Sequence, residues 1–337
     1  MTYNGQKIGV IGGGAWGTAL AQVLAKNERD VLIWAIEQEV VDSINTEHEN
    51  DMYLPAVPLD ESLKATNDLH EAAKTDVLLL VTPAQYIRKT LESIKDELGN
   101  GKPLVICSKG IELDSGLLMT QVAEQVAPDA TISVLTGPTF AREIAMGLPG
   151  AVTIACKSKE KATQLQAIIG VPGFRPYATT DVIGTQLGGA IKNVIAIACG
   201  VVMGRQLGES ARAALLTRGI AEIARLGVAM GAKRETLLGM CGIGDLTLTC
   251  SSMQSRNFSL GAALGEGKSA TQILGERKAV TEGVHTVKST LSLAKKHAVD
   301  MPITETVNHL IEGDYSVDDA IEEMLNRPFS YEMTEKS

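Results

Sequence analysis

The sequence predicts an α/β protein: an N-terminal Rossmann-type, doubly wound sheet followed by an all-α C-terminal domain. Three observations predict it. Short apolar runs alternate with amphipathic segments through the first half, the pattern of a parallel sheet built by right-handed crossovers. A glycine cluster, GGGAWG, directly follows the first of those runs. After about Asp181 the strand signals fade into Ala- and Leu-rich helical patterns.

Taken in order, strands are expected at Lys7–Ile11, Asp30–Trp34, Asp76–Val81, Leu104–Cys107, Ile132–Leu135 and Ala151–Ala155. Several are continuous apolar runs, such as VLLLV from Val77, as expected for strands covered on both faces. Helix-like segments separate them, for example Thr18–Lys26 and Gln85–Glu97. Further on, Gly189–Met203, Ser210–Met230, Thr286–His297 and Ile303–Glu312 read as helices. In the second of these, Leu215, Ile220, Ile223 and Leu226 fall near helical spacing and leave Arg218, Glu222 and Arg225 for polar roles. The 337 residues fit two domains at roughly 150 residues each. The expected division is 1–182 for a dinucleotide-binding domain, 183–330 for a helical substrate-binding domain, and 331–337 for a short flexible polar tail.

Composition removes several function classes. Aromatic residues are only two Trp, six Tyr and four Phe, too few for the stacking platforms that bind single-stranded nucleic acid. The net charge of −9 supplies no broad basic footprint, so no nucleic-acid partner is expected. The five cysteines, 107, 156, 199, 241 and 250, never fall in a CxxC spacing, and the five histidines show no HExxH arrangement. Neither a disulfide framework nor a metal site is expected. The N-terminus lacks the layout of a signal peptide. The longest purely apolar run, near residue 195, is far short of the roughly 20 residues a spanning helix needs. A cytoplasmic protein that is not embedded in a membrane is therefore expected. Glycine, in contrast, is abundant at 33 of 337 residues, above the roughly 7% of average usage, so some backbone must turn tightly or approach a ligand closely.

GGGAWG, Gly12 to Gly17, fits G-x-G-x-x-G between a strand and a helix. In that context Gly12 permits the tight turn, Gly14 lets the backbone approach a pyrophosphate, and Gly17 allows close helix–strand packing. The helix N-terminus then offers its free N–H groups to phosphate charge. Glu37 lies twenty positions beyond Gly17. A carboxylate there can accept hydrogen bonds from an adenosine ribose and would repel a 2′-phosphate, whereas Glu39 nearby makes an exposed loop carboxylate an equally simple reading. NAD and NADP both stay open.

QLGGAIKNVIAIACGVV, Gln186 to Val202, is apolar almost all round except for Lys192 and Asn193. A lysine on a buried helix is either paired, or neutral and fit for proton transfer, or its stem covers apolar surface while its head reaches water. Lys109 in CSKGIE stands just past a strand, where ligands gather in open α/β sheets. In TGPTFARE, Thr139 is expected as a helix N-cap. GIGDLTLTC carries Asp245, a turn or cap residue on the simplest reading, and SRN places Ser255, Arg256 and Asn257 together. Arginine suits bidentate phosphate binding, although Lys109 and Arg256 taken singly also read as surface charges.

Together these segments resemble bacterial NAD(P)-dependent glycerol-3-phosphate dehydrogenase. GGGAWGTALA, SKGIE, LTGPTFAREIA, QLGGAIKNVIAIACG, TRGIAEIARLG, GIGDLTLTC, QSRN and VTEGVHT carry the resemblance in order, and MPITE at Met301–Glu305 extends it. It implies interconversion of sn-glycerol 3-phosphate and dihydroxyacetone phosphate with NAD or NADP and no metal, feeding phospholipid synthesis. By motif, Lys192 corresponds to the family's general acid and base. Lys109 and Asp245 would orient the substrate or hold the lysine, and Gly137 and Thr139 match substrate contacts. Ser255, Arg256 and Asn257 match the phosphate end. Cofactor contacts would come from Gly12, Gly14, Ala15, Trp16, Gly17, Ala141, Val280 and Glu282, with Lys109 and Arg256 bordering the same site. Ile36 stands beside the adenosine ribose, where the family often carries a basic residue or His. The sequence does not dictate an oligomeric state; a homodimer is the assembly expected if one forms. Two rival readings stand beside this one: a two-domain dehydrogenase of another small hydroxy acid, and a dinucleotide sensor without catalysis. A sensor has no need of a base such as Lys192.

Overall fold

The computed structural model describes residues 5–276 and 281–328. Val280 and the tail 331–337 lie outside the described residues. By internal packing the chain divides into two compact units. The first runs up to Lys109 and resumes over Leu117–Val182; the second comprises Gly110–Gly116 and the chain from Ile183 onward. The sequence contains no signal that separates 110–116 from its surroundings.

The first unit holds an eight-stranded sheet in the order β3-β2-β1-β4-β5-β6-β7-β8. The strands are β1 (Ile8–Ile11), β2 (Val31–Trp34), β3 (Lys64–Thr66), β4 (Val77–Leu80), β5 (Pro103–Ile106), β6 (Thr131–Thr136), β7 (Gly150–Cys156) and β8 (Phe174–Thr179). Its helices are α1 (Ala15–Ala25), α2 (Gln38–Asp42), α3 (Leu69–Ala73), α4 (Ile87–Ser93), α5 (Met119–Val126), α6 (Ala141–Ala145) and α7 (Lys159–Ile169). β1 pairs in parallel with both β2 and β4, so the strand order reverses there and opens the crevice where such sheets bind ligands.

Side chains of successive strand residues enter different cores. Val77, Leu79 and Val105 join α1, α6 and α7 on one face, and Leu78, Leu80, Leu104 and Ile106 join α3, α4 and α5 on the other. This double cover is why the strands read as unbroken apolar runs. Two strands escape the sequence reading. β3 is three residues with a half-polar pattern, and β8, FRPYAT, alternates around Arg175 and Pro176, a composition tolerated because it forms the sheet edge. The expectation of a parallel sheet also needs correction at one seam, since β7 runs antiparallel to β6.

The second unit is helical: α8 (Val182–Gly204), α9 (Glu209–Ala229), α10 (Arg234–Leu237), α11 (Asp245–Thr249), α12 (Arg256–Gly265), α13 (Ala270–Gly275), α14 (Glu282–Lys296), α15 (Pro302–Glu312) and α16 (Val317–Leu325). Helix α8 is buried over almost its whole length. By length and composition it could cross a membrane despite the break at Lys192 and Asn193, but 83% of its most apolar window is buried inside the protein. It packs against α12 at backbone distance. A Cβ at Gly200 would stand 2.1 Å from the Phe258 carbonyl oxygen, and one at Gly261 would stand 1.9 Å from that of Ile197. Helix α9 gives Glu222 a polar role, but inside the protein: it is only 2% exposed. Its carboxylate accepts from the N–H groups of Ile303 (2.7 Å) and Thr304 (3.4 Å) and from the Thr304 hydroxyl (3.2 Å), which satisfies the open first turn of α15.

Candidate active site

The glycine cluster turns sharply between β1 and α1, and each glycine has its own reason. Gly12 has φ +129°, and a Cβ there would lie 3.0–3.2 Å from the Val81 and Thr82 backbone. At Gly17 a Cβ would come within 1.9 Å of the Gly12 carbonyl oxygen, so helix and strand can approach only at glycine. Around Gly14 nothing lies within 4 Å of that position. Gly14 is the N-cap of α1 and has no side-chain cap, so the helix presents its first N–H groups where the backbone leaves room. Next to Gly12, where the Val81–Thr82 backbone passes, the buried Thr82 Oγ has no hydrogen-bond partner. A helix N-terminus above an open glycine at the strand-order reversal fits a dinucleotide pyrophosphate.

Two side chains without a signal in the sequence, Asn50 and Thr18, support this turn. The Gly13 carbonyl accepts from Asn50 Nδ2 (2.8 Å) and the Thr18 hydroxyl (3.2 Å), and Asn50 Nδ2 also donates to Thr18 Oγ at 2.8 Å. Ala15, Trp16 and Ala141 pack half-buried on one core cluster, which brings these three cofactor candidates to the same region of the unit.

Past β2, Ile36 is 71% exposed. Glu37 is not a free loop carboxylate: the Tyr53 hydroxyl donates to its Oε1 at 2.8 Å. That hydrogen bond, then burial and the neighbouring negative charge, raise the Tyr53 pKa above its ordinary value. Arg29, a basic group near this loop in sequence, donates instead to the Ile168 and Gly170 carbonyls, both at 3.3 Å, where it satisfies the C-terminal end of α7.

Lys109 stands three residues beyond β5. Preceding it, Ser108 Oγ donates to the carbonyls of Leu80 (3.2 Å) and Thr82, which ties this loop to the end of β4. A Cβ on Gly137 would lie 2.7 Å from Val152 Cα, so its smallness already has a packing reason. Thr139 does not cap α6 as expected. Phe140 occupies the N-cap without a side-chain bond, and the Thr139 hydroxyl turns to the Gly137 carbonyl at 3.4 Å.

In the second unit Lys192 is buried and paired. Its side chain is 7% exposed and that of Asp245 is fully buried, with Nζ 2.5 Å from Asp245 Oδ1. Nζ also donates to Thr249 Oγ at 2.6 Å, so the head does not reach for solvent. The geometry follows from local packing. Gly188 lets the Cys241 carbonyl approach within 2.4 Å of the position a Cβ would take. One helical turn later, Lys192 comes level with Asp245, four residues past Cys241. A π-helical turn, Met240–Gly244, delivers Asp245 to the start of α11, and such turns often mark functional positions. Thr249 lies four residues after Asp245 on the same helix face, a signal available in GIGDLTLTC but unused. The Cys250 thiol beside them is pushed well above its ordinary pKa, first by burial and next by a hydrogen bond with Cys199; it is an inert packing group.

SRN divides. The Ser255 hydroxyl caps α12 by accepting from the Phe258 N–H at 3.2 Å. Asn257 is buried, and its Oδ1 accepts from the Gly283 N–H at 3.0 Å; a Cβ at Gly283 would stand 2.9 Å from the carbonyl oxygen of Asn193, the neighbour of Lys192. Asn257 is thus connected with the Lys192 region through α14. Arg256 is exposed at the first turn of α12, and Glu282 opens α14 half-buried. Among the described residues no group of three or more His, Cys, Asp or Glu side chains could hold a metal ion.

Two family models match the chain in tandem: NAD-dependent glycerol-3-phosphate dehydrogenase N-terminus over residues 7–162 and C-terminus over 181–322. A glycerol-3-phosphate dehydrogenase [NAD(P)+] of Parvibaculum lavamentivorans is 53% identical over 98% of this chain and 100% of its own length. That of Rhodospirillum rubrum is 54% identical over 96% and 93%. The solved glycerol-3-phosphate dehydrogenase of Coxiella burnetii superposes with a TM-score of 0.91 at 36% identity, covering 96% of this chain and 99% of that one.

Proposed function

The chain belongs to the NAD-dependent glycerol-3-phosphate dehydrogenase family, and from that premise we propose how its residues divide the work. The enzyme interconverts sn-glycerol 3-phosphate and dihydroxyacetone phosphate, a step that supplies glycerol 3-phosphate for phospholipid synthesis. Bound NAD(P) supplies the hydride acceptor in the oxidation and the donor in the reverse. Lys192 takes the proton from the C2 hydroxyl as the carbonyl forms, and in reduction returns one from Nζ to the developing alkoxide. The observation that carries this role is the buried contact of Lys192 with Asp245 and Thr249. Lys192 acts as the neutral amine in the oxidation. The Asp245 carboxylate is the counter-charge of the ammonium that forms when the amine takes the proton. The Asp245 and Thr249 contacts hold Nζ in one place, as proton transfer requires.

Arg256 supplies charge-assisted hydrogen bonds to the substrate phosphate, and the exposure of its side chain supports access to a ligand. Ser255 and Asn257 hold the first turn of α12 and the start of α14, so their part in the phosphate site is to fix the backbone around Arg256. Lys109, Gly137 and Thr139 are assigned to the substrate from their motifs. Gly12, Gly14 and Gly17 form the pyrophosphate turn, flanked by Ala15, Trp16 and Ala141, with Val280 and Glu282 assigned by motif. Glu37 and the uncharged Ile36 border the ribose, which supports use of NADH at least as well as NADPH. A cytoplasmic location is our reading from the family, and five free, buried cysteines support a reducing compartment. A homodimer is its expected assembly, to be read by light scattering against the 35.7 kDa of one chain.

The test is oxidation of NADH and of NADPH with dihydroxyacetone phosphate. Lys192→Ala should bind cofactor normally and lose about 10²–10⁴-fold in turnover, the usual contribution of a general acid–base group. Near-native turnover in the folded variant removes Lys192 from the chemistry.

A further inference from the structure

The Gly13 carbonyl is held from below by two side chains, one of them far away in sequence. Asn50 is 1% exposed and Thr18 fully buried. Both Asn50 Nδ2 contacts are used, one on Gly13 O and one on Thr18 Oγ, each at 2.8 Å. Its Oδ1 accepts from the Tyr53 N–H at 3.2 Å, so the amide orientation is set from both ends. A trans peptide is planar, with its C=O and N–H pointing in opposite directions. Anchoring the Gly13 oxygen towards Asn50 and Thr18 therefore aims the Gly14 N–H the opposite way. Gly14 is the N-cap of α1, with no atom within 4 Å of where a Cβ would be.

We infer that Asn50 is a positioning residue for the dinucleotide: with Thr18 it fixes the Gly13–Gly14 peptide so that the Gly14 N–H and the first N–H groups of α1 converge on the pyrophosphate. The inference rests on the cofactor reading of the glycine turn. An amide left free to rotate would have to be ordered when the anion binds, and a pre-oriented donor avoids that cost. The role belongs to the pyrophosphate and not to the ribose, so it makes no distinction between NAD and NADP.

The test uses the full chain, with ADP-ribose and adenosine as calorimetric probes and NADH and NADPH titrated by fluorescence. Whereas Thr18→Val leaves the Asn50–Tyr53 bond in place, Asn50→Leu keeps the side chain's approximate volume and removes both donors together with the Oδ1 that accepts from the Tyr53 N–H. It should weaken ADP-ribose, NADH and NADPH alike by about tenfold, the factor carried by roughly 1.4 kcal/mol, a typical cost of an unmade buried hydrogen bond. Adenosine, which lacks the pyrophosphate, should keep its affinity. A parallel loss of adenosine, a shift in the NADH to NADPH ratio in Thr18→Val, or unchanged ADP-ribose binding overturns the inference. The ratio is therefore read in Thr18→Val, which loosens the Gly13 carbonyl but keeps the Asn50–Tyr53 bond: a shift there marks a merely structural role. If Asn50→Leu does not fold, the isosteric Thr18→Val carries the same expectation, and unchanged ADP-ribose affinity in it is equally fatal. Wild-type protein that fails to bind ADP-ribose at all removes the cofactor reading itself. Wild-type binding with unaffected variants removes only the role of Asn50.

Discussion

Replacing Asp245 by Asn probes whether the Lys192 pair is held together by charge. The two groups meet at 2.5 Å with side chains 7% and 0% exposed, so solvent screens them little. Removing one partner of a buried pair leaves an uncompensated charge and typically costs 3–5 kcal/mol. Asn retains an oxygen that can accept from Nζ, and Thr249 still accepts as well, so the lower end, about 3 kcal/mol, is expected. Hydrogen exchange measured by mass spectrometry on peptides from α8 and α11 reads this locally. Protection should fall by about two orders of magnitude. The double variant Lys192→Met/Asp245→Leu fills the same space with apolar groups. It should regain most of that protection, because the desolvation of both charges is gone, while remaining inactive. A loss below about 1 kcal/mol in Asp245→Asn, the range of an exposed ion pair, would refute the reasoning. So would a double variant no better protected than the single one.

Other perturbations reach different links. Burial pushes the Glu222 carboxyl from 4.5 up to about 7, against the lowering effect of its backbone partners and Arg225. The unfolded chain releases that proton near pH 4.5 and the folded protein near 7. Its contribution is therefore full below the lower value and lost as pH rises to the upper one, about 3 kcal/mol in all. Glu222→Gln should flatten this slope in denaturant midpoints taken at about pH 5 and 7.5; an unchanged slope assigns it to another group. Gly261→Ala would drive a methyl into the Ile197 carbonyl and should cost 1–3 kcal/mol or more by overpacking α8 against α12. Gly275→Ala meets nothing within 4 Å and should be neutral or stabilise by up to about 1 kcal/mol; equal thermal shifts in the two would contradict the packing account. Finally, Ile36→Arg should shift specificity constants towards NADPH by restoring a cation near the ribose. A hundredfold wild-type preference for NADPH would show that the Glu37 loop has been misread.

Much of this protein is decided locally and is therefore legible along the chain. The alternation of buried strands and helices, the glycine turn after β1 and the change to helix after Asp181 are short-range patterns set by steric and hydrophobic periodicity. They specify the class of fold. The motifs name the residues of the site for the same reason: a glycine that must turn, or a lysine alone in an apolar helix, is conspicuous beside its neighbours. What those side chains touch is settled across the fold. By spacing alone the Lys192 head could have been paired inside the protein or could have reached water. Only the close approach of Gly188 to Cys241, 53 positions away, brings Asp245 to its ammonium. Glu222 fits the polar stripe of α9 by spacing, yet the first turn of α15, 81 positions on, supplies the donors that let it be buried. Asn50 lies in a loop without periodic signal, and its purpose exists only once the chain has returned to Gly13. Even β8, polar enough to hide, becomes a strand because β7 offers it a paired edge. Local pattern selects the elements, but partner choice for buried polar groups depends on desolvation and on groups far apart in the chain, and only the tertiary structure brings these together.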